Sequence, residues 1–420
     1  MNIFTKNFLV KIQTKDYISL FLIHIYPIAI ISGNLIINFT IIMFALSFCL
    51  NFKENKKFIE NIENKVIYLF LIFFISLIIN SIFSITFSNS IQRVIKVFFV
   101  FFLIMEVTRI LKKYDYRIIN ILLKFWSIVF IIITLDFIFE FIMGYNLIGI
   151  KSYYPGRLAG FFGDELVGGA FYHGFSLLVL TYMIYNFKNK NYFFLSIITV
   201  FCVSFIIGER ANFIKIFFSI TLFLMFIKEI SLKKKILIFL ISILFIISSL
   251  NLNKDYKLRY YVQLQSLLSK GGISNYLKNS QYGAHQWTAL KIFYEYPVFG
   301  VGIKNFRHES KKEKYEDKNN PTTKLRYATH PHQIHLEFLS ETGMVGFLIY
   351  IIFICYSCFL GIKEYVNKNN YLLLSSIIYI ISINLPIIPS GSFLSTYVSG
   401  IFWINYAIMA AFIIKEKPKL

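Results

Sequence analysis

Apolar stretches of spanning length follow one another along almost the whole chain, near residues 17–33, 35–52, 66–87, 91–111, 118–143, 166–187, 192–207, 211–227, 235–251, 343–362, 371–388 and 392–414. An α-helix needs about 20 mostly apolar residues to cross the hydrocarbon of a bilayer, where every backbone polar group must be satisfied within the element itself. The pattern therefore predicts an all-α polytopic membrane protein with about twelve transmembrane helices. Composition points the same way: 57% of the 420 residues are hydrophobic and 15% are charged. A soluble domain carries roughly 25% charged residues, and one soluble core cannot hide this much apolar surface.

Lysine and arginine set the orientation. Basic connectors lie at 53–65 (Lys53, Lys56, Lys57, Lys65), 112–117 (Lys112, Lys113, Arg117), 188–190 (Lys188, Lys190), 228–235 (Lys228, Lys233, Lys234, Lys235) and 363–368 (Lys363, Lys368), and the C-terminus adds Lys415, Lys417 and Lys419. Every second connector is basic and those between are not, as the positive-inside rule predicts. Both termini are then cytoplasmic. The basic start (Lys6, Lys11, Lys15) leads into the first apolar stretch, which reads as a retained spanning helix. The formal net charge of +21 is carried by these short clusters. It reads as topology and membrane-lipid contact, with no nucleic-acid partner.

On this reading residues 1–251 form an N-terminal transmembrane bundle, 252–342 a large periplasmic loop between the ninth and tenth helices, and 343–420 the C-terminal transmembrane helices. Shorter outward connectors fall at 144–165 and 208–210. Within the long loop, 286–295 has helical spacing and ends at Pro297, so an amphipathic helix near the membrane surface is expected there. Segment 308–326 is lysine-rich and reads as mobile. The four cysteines (Cys49, Cys202, Cys355, Cys358) all lie in apolar runs, so the CxxC at 355–358 reads as two buried small side chains rather than a metal or redox motif.

The densest polar signal runs from Thr329 to Gly346 and contains His330, His332, His335, Glu337 and Glu341. Pro331 suits a helix start, which would put His332, His335 and Leu339 on one face. A histidine at the interface suits general-base work because its ordinary pKa is near 6.5. The spacing of His330, His332 and His335 also leaves zinc open, although HExxH is absent. Arg210 stands in a short turn, Gly208-Glu209-Arg210, where a charge is costly unless paired or functional. Its neighbour Glu209 offers a structural ion pair as the plainer reading. Arg157 stands in a glycine-rich stretch, Pro155-Gly156-Arg157 to Gly163. Guanidinium forks match phosphate oxygens. In Tyr296–Arg307 the glycines Gly300 and Gly302 read as a structural turn, and Arg307 is placed to reach a ligand.

At these residues the chain resembles the O-antigen ligase and O-antigen polymerase superfamily. His332-Gln333, nine residues, then Gly343-Met344-Val345-Gly346 fit the ligase signature of His, then Asn, Ser or Gln, nine residues and Gly-x-x-Gly. The segments at 297–302, 157–163 and 208–210 are similar to further family landmarks. The resemblance implies a metal-independent, inverting membrane glycosyltransferase without a cofactor. Its donor would be undecaprenyl-pyrophosphate-linked glycan and its acceptor a lipid A–core sugar hydroxyl, at the periplasmic face of a bacterial inner membrane. His332 would be the catalytic base. Arg210 and Arg157 would bind the donor pyrophosphate, with Arg307, His335 and Gln333 as further substrate contacts. Family loops often carry another arginine ahead of the amphipathic helix. Here that stretch reads Gly283-Ala284-His285-Gln286-Trp287 and Arg259 lies well upstream, so a third phosphate ligand is not assigned. The alternatives are a polymerase with a second lipid-linked repeat as acceptor, an O-linked protein oligosaccharyltransferase and, in a different class, a secondary transporter or flippase.

Overall fold

A helix lies over each of the twelve apolar stretches: α1 (Tyr17–Ile31), α2 (Asn34–Leu50), α4 (Lys65–Ile82), α5 (Phe87–Lys113), α6 (Tyr116–Met143), α7 (Gly168–Asn186), α8 (Lys190–Ile206), α9 (Arg210–Phe226), α10 (Leu232–Leu252), α12 (Ile334–Lys368), α13 (Tyr371–Ile383) and α14 (Thr396–Ile413). Among the further described helices, α3 (Phe52–Asn61) is strongly amphipathic and α11 (Gln281–Glu295) covers the 286–295 stretch of the long loop. The computed structural model describes residues 13–63, 65–114, 116–263, 265, 272–316 and 322–415. Lys6, Lys11, Lys417, Lys419 and positions 317–321 of the lysine-rich segment lie outside the described residues. By length and composition alone, six described helices can cross a membrane, or seven if α2 and α3, bent by 86°, count as one span. The expected count of about twelve therefore rests on hydropathy along the sequence. Several helices, such as α13 with 13 residues, are shorter than a bilayer requires.

Side-chain contacts separate two ends of the bundle. At one, Lys113 pairs with Asp16 at 2.6 Å, Lys415 lies 3.6 Å from Glu364, and the Tyr371 hydroxyl donates to Glu229 at 2.8 Å. The basic connectors gather there. A buried network stabilises this end: Arg109 reaches Asp16 at 2.6 Å and Glu106 at 2.8 Å, while Ser19 and Asn55 also donate to Glu106. Pairing of this kind is what lets charge persist inside an apolar bundle. The other end carries the described residues between 252 and 333, and we call it the loop end.

The core is aromatic. Trp403 of α14 is fully buried, its ring 5.6 Å from that of Phe70, 6.3 Å from Phe73, 5.9 Å from Phe353 and 4.9 Å from Phe402. Such tilted and edge contacts add packing specificity where lipid tails remove most of the hydrophobic drive between helices. The rim is different: α10 buries only 17% of its spanning window and exposes Leu240, Ile243, Leu244 and Ile247. That surface requires lipid.

The loop re-enters the bundle through a kink. Gly343 has φ 64° and ψ −169° inside α12, so the helix bends there and continues. The segment around Pro297–Gly302 docks along the bend, with Val301 N–H to Ser340 O at 3.0 Å, Gly302 N–H to Glu341 O at 2.8 Å and Met344 N–H to Pro297 O at 2.8 Å. This bears out the structural turn read from Gly300 and Gly302. A Cβ on Gly343 would lie 2.3 Å from the Val298 carbonyl oxygen. Backbone cannot yield there and the φ is unfavourable as well. Gly343→Ala should therefore cost at least about 1–3 kcal/mol, read as a clear drop in the detergent-solution melting temperature. The lipid-facing control Val345→Ala should show little change.

Two expectations need correction. Helix α12 begins at Ile334, with the Gln333 side chain capping it by accepting from Leu336 N–H at 2.7 Å. His332 thus lies before the helix and shares no helical face with His335 and Leu339. Pro331 does not start the helix, because Gln333 provides the cap two residues later. The described parts of segment 308–326 are not loose: the Tyr315 hydroxyl bonds Glu295 at 2.6 Å and Glu309 at 2.9 Å, and Arg326 is buried.

Candidate active site

Three arginines meet at the loop end, brought together by turns far apart in sequence. Helix α8 stops at Gly208, whose φ of 81° breaks the helix. A Cβ there would lie 2.0 Å from the Gly156 carbonyl oxygen, so only glycine lets the 153–160 loop close over this turn. Leu158 N–H donates to Ile207 O at 3.1 Å, and Glu140 accepts from Ala159 and Gly160 N–H at 2.9 and 2.7 Å. Arg157 is held in place by these bonds. Past α10, the Tyr256 and Tyr260 hydroxyls donate to Ile206 O and Phe205 O, fastening a short π-helical segment, Lys257–Val262, to the same turn. Arg259 on that segment donates from Nε to Gly208 O at 2.6 Å and lies 5.1 Å from the Tyr154 ring centre. Arg210, at the first turn of α9, donates to the Arg259 carbonyl at 3.0 Å.

The charges do not balance. Glu209 lies 3.6 Å from Arg157 and is also bound by Gly169 N–H at 2.8 Å and by Asn212 at 2.5 Å. It pairs across the turn with Arg157, not with its neighbour Arg210 as the plainer sequence reading had it. Burial, and then the Arg210 and Arg157 guanidinium groups, push Arg259 below the ordinary arginine range. It stays charged near neutral pH. The result is a partly buried cluster of guanidinium groups beside the N-terminus of α9, the kind of place where a phosphate finds both charge and N–H donors. Arg259 is the third arginine that sequence reading left unassigned.

The second group is a histidine stack. The His332 ring centre lies 4.0 Å from that of His330 and 5.1 Å from those of His285 and Tyr282. His332 has φ 56°, a left-handed conformation uncommon outside glycine and asparagine, and its carbonyl accepts from Ser390 N–H at 2.9 Å. Strain of this kind concentrates at functional sites. Burial, followed by His285, draws His332 down to about 4. Burial lowers His285 as well, and burial with His332 and then Lys304 lowers His330. The stack is uncharged at neutral pH, and His332 is half-exposed. Among the described residues no three metal-ligating side chains are grouped to hold an ion.

A bracket joins the two groups. Lys215 of α9, five residues after Arg210, is buried and donates to Pro389 O at 3.1 Å, next to the Ser390 that holds His332. A lysine inside an apolar run is itself a sequence signal, but hydropathy reading passes over it. The remaining candidates divide. Gln333 uses its amide on the helix cap and on His335 Nδ1 at 2.7 Å. Arg307 does not join the arginine pocket. It stands with Arg93 and Lys304 around Glu341 and Glu337, where Glu341 accepts from Lys304 N–H at 2.9 Å and Glu337 from Phe393 N–H at 2.8 Å.

Residues 194–351 match the family model described as O-antigen ligase (Wzy_C). No curated protein matches the chain. The matched span holds Arg210, Arg259, His285 and His332, the Gly343–Gly346 signature and the kink; Arg157 lies outside it and reaches the site through the Gly208 turn. Over these residues the chain is similar to the O-antigen ligase family, and the match supports the O-antigen ligase superfamily.

Proposed function

We propose that the chain is an O-antigen ligase that moves glycan from undecaprenyl pyrophosphate to a sugar hydroxyl of lipid A–core, in a bacterial inner membrane with its loop end in the periplasm. One observation carries the reading: three clustered arginines, with Glu209 paired to Arg157, are linked through Lys215 and the Pro389–Ser390 segment to a half-exposed, uncharged histidine. The acceptor oxygen forms its bond to the anomeric carbon as the bond from that carbon to the pyrophosphate oxygen breaks. Attack from the face opposite the leaving group inverts the centre. The hydroxyl proton passes to His332, and the electron pair leaves on the pyrophosphate. Arg157, Arg210 and Arg259 hold that anion, whose charge grows in the transition state. Side chains of the site meet each charge that develops, so the reaction as proposed needs no metal ion. Lys215 and Ser390 position the two halves, and the Gln333 cap orients His335 beside them.

The test is a surface-glycan gel of a deletion strain complemented with the wild-type gene. Loss of all polymer on lipid A, with long lipid-linked chains accumulating and the wild-type gene restoring the ladder, is the expected result. Single repeats still attached to lipid A would assign the chain to polymerisation, with a second lipid-linked repeat as acceptor. An unchanged profile would overturn the reading and favour protein O-glycosylation or transport.

A further inference from the structure

A second polar group at the loop end is not used by the donor site. A cavity of about 400 Å³ opens between α2, α5 and the start of α14. Its polar lining includes Asn38, Gln92, Arg93 and Lys96, and its deeper wall is apolar, with Ile41 and Val100. Helix α5 starts at Phe87 and runs to Lys113 at the basic end, so Lys96 lies nine residues in, about 13 Å along the helix. Lys96 is exposed on the outside of the bundle, and among the described residues no ion pair or hydrogen bond engages its ammonium group. Among the described residues neither Asn38 nor Gln92 makes a side-chain hydrogen bond there. A cation without a partner of its own beside an apolar wall marks a ligand more often than a structural role.

Arg93 connects this groove to the transfer centre. It donates to Leu394 O at 3.3 Å and faces Arg307 and Lys304, and Lys304 in turn faces His330. Glu337 and Glu341 are engaged by backbone N–H groups. Four cations, Arg93, Lys96, Lys304 and Arg307, therefore stand against two carboxylates. The groove shares no helix with the arginine pocket, which is built from α9, the turn after α8 and the segment after α10.

We propose that this groove binds the acceptor lipid, a phosphate-bearing glycolipid, with its phosphate at Arg93 and Lys96 and one acyl chain against Ile41 and Val100. The assignment of the occupant as acceptor rests on the transferase reading above. Charge selects it: the polar end is cationic, with Lys96 unpaired among the described residues, the apolar end is chain-sized, and the cationic relay ends at the histidine stack. Donor and acceptor would then reach His332 from opposite sides of α14 and the 384–395 segment.

The experiment is lipid binding by the full-length protein in nanodiscs without donor, using lipid A, dephosphorylated lipid A and phosphatidylglycerol as probes. Lys96→Gln, at an exposed position, should weaken lipid A binding about fivefold, the effect of one lysine near an anionic lipid. Dephosphorylated lipid A should bind wild type and variant alike. Lys233→Gln at the basic end should leave lipid A binding unchanged. Unchanged lipid A affinity in Lys96→Gln overturns the proposal, and so does equal binding of phosphatidylglycerol, which would make the groove a general lipid contact. If Lys96→Gln weakens lipid A binding while the deletion strain keeps a normal glycan profile, the groove stands and the ligase reading fails.

Discussion

Replacing His332 with alanine should lower glycan transfer by roughly 10²–10⁴-fold, the contribution of a positioned acid–base group. The sharper variant is His332→Asn. Asparagine accepts the left-handed backbone that His332 occupies at φ 56°, so the Ser390 contact and the fold survive while the base is lost. Equal loss in both variants, with normal protein levels and melting temperature, identifies proton transfer as the function of this side chain. Retained activity in His332→Asn would make the histidine a backbone element only. The pH profile supplies an independent check. His332 is drawn down to about 4 by burial and by His285, so it is protonated and unable to accept a proton only below that value. kcat/KM should rise with pH through a limb near 4 and be level from about pH 5 upward. A histidine with an ordinary pKa would place the limb near 6.5. Binding of the anionic donor favours the protonated imidazole, so the limb of kcat should lie at higher pH than that of kcat/KM.

The helices were legible because spanning segments satisfy one dominant constraint. Each of the twelve apolar stretches acquired a helix, and the alternating basic connectors meet at one end through contacts such as Lys415 with Glu364 and Tyr371 with Glu229. Residue types at the site were legible for a related reason: a charge such as Arg210 or a cluster such as His330–His335 stands out against an apolar background. What local sequence could not supply was the company these residues keep. Arg259 reaches the pocket because two tyrosine hydroxyls fasten its segment to the end of α8, about fifty residues earlier. Periodicity carries no trace of that. Arg307 was expected as a substrate contact without a stated place, and it stands with Arg93, since the docking of Pro297–Gly302 along the Gly343 kink turns the following segment toward α5. His332 was placed on a helix because Pro331 favours a helix start. The Gln333 cap, worth about 1 kcal/mol, sets the boundary two residues later and leaves His332 free to point away from the helix face.

Arg259→Gln should reduce transfer by roughly 10²–10³-fold, as expected for removing one preorganised group that stabilises a developing anion. The loss should fall on kcat more than on donor KM, because charge builds on the leaving pyrophosphate as its bond to the anomeric carbon breaks. Arg210→Lys tests geometry against charge. It keeps the positive charge but gives up the planar fork, so it should lose much of what Arg210→Ala loses. The three arginines are coupled: Arg210 donates to the Arg259 carbonyl, Arg259 to the Gly208 carbonyl, and Gly208 abuts the loop that carries Arg157. The double variant Arg210→Ala/Arg259→Gln should therefore be little worse than the more severe single one, whereas independent contacts would multiply their losses. Arg259 also braces the turn through its Nε bond, so melting temperatures must accompany the kinetics. A folded Arg259→Gln with unaltered kcat and donor KM would reduce Arg259 to a strut. The pocket would then have two phosphate-binding arginines, one of them already engaged by Glu209, and the arginine surplus that supports donor binding would no longer hold.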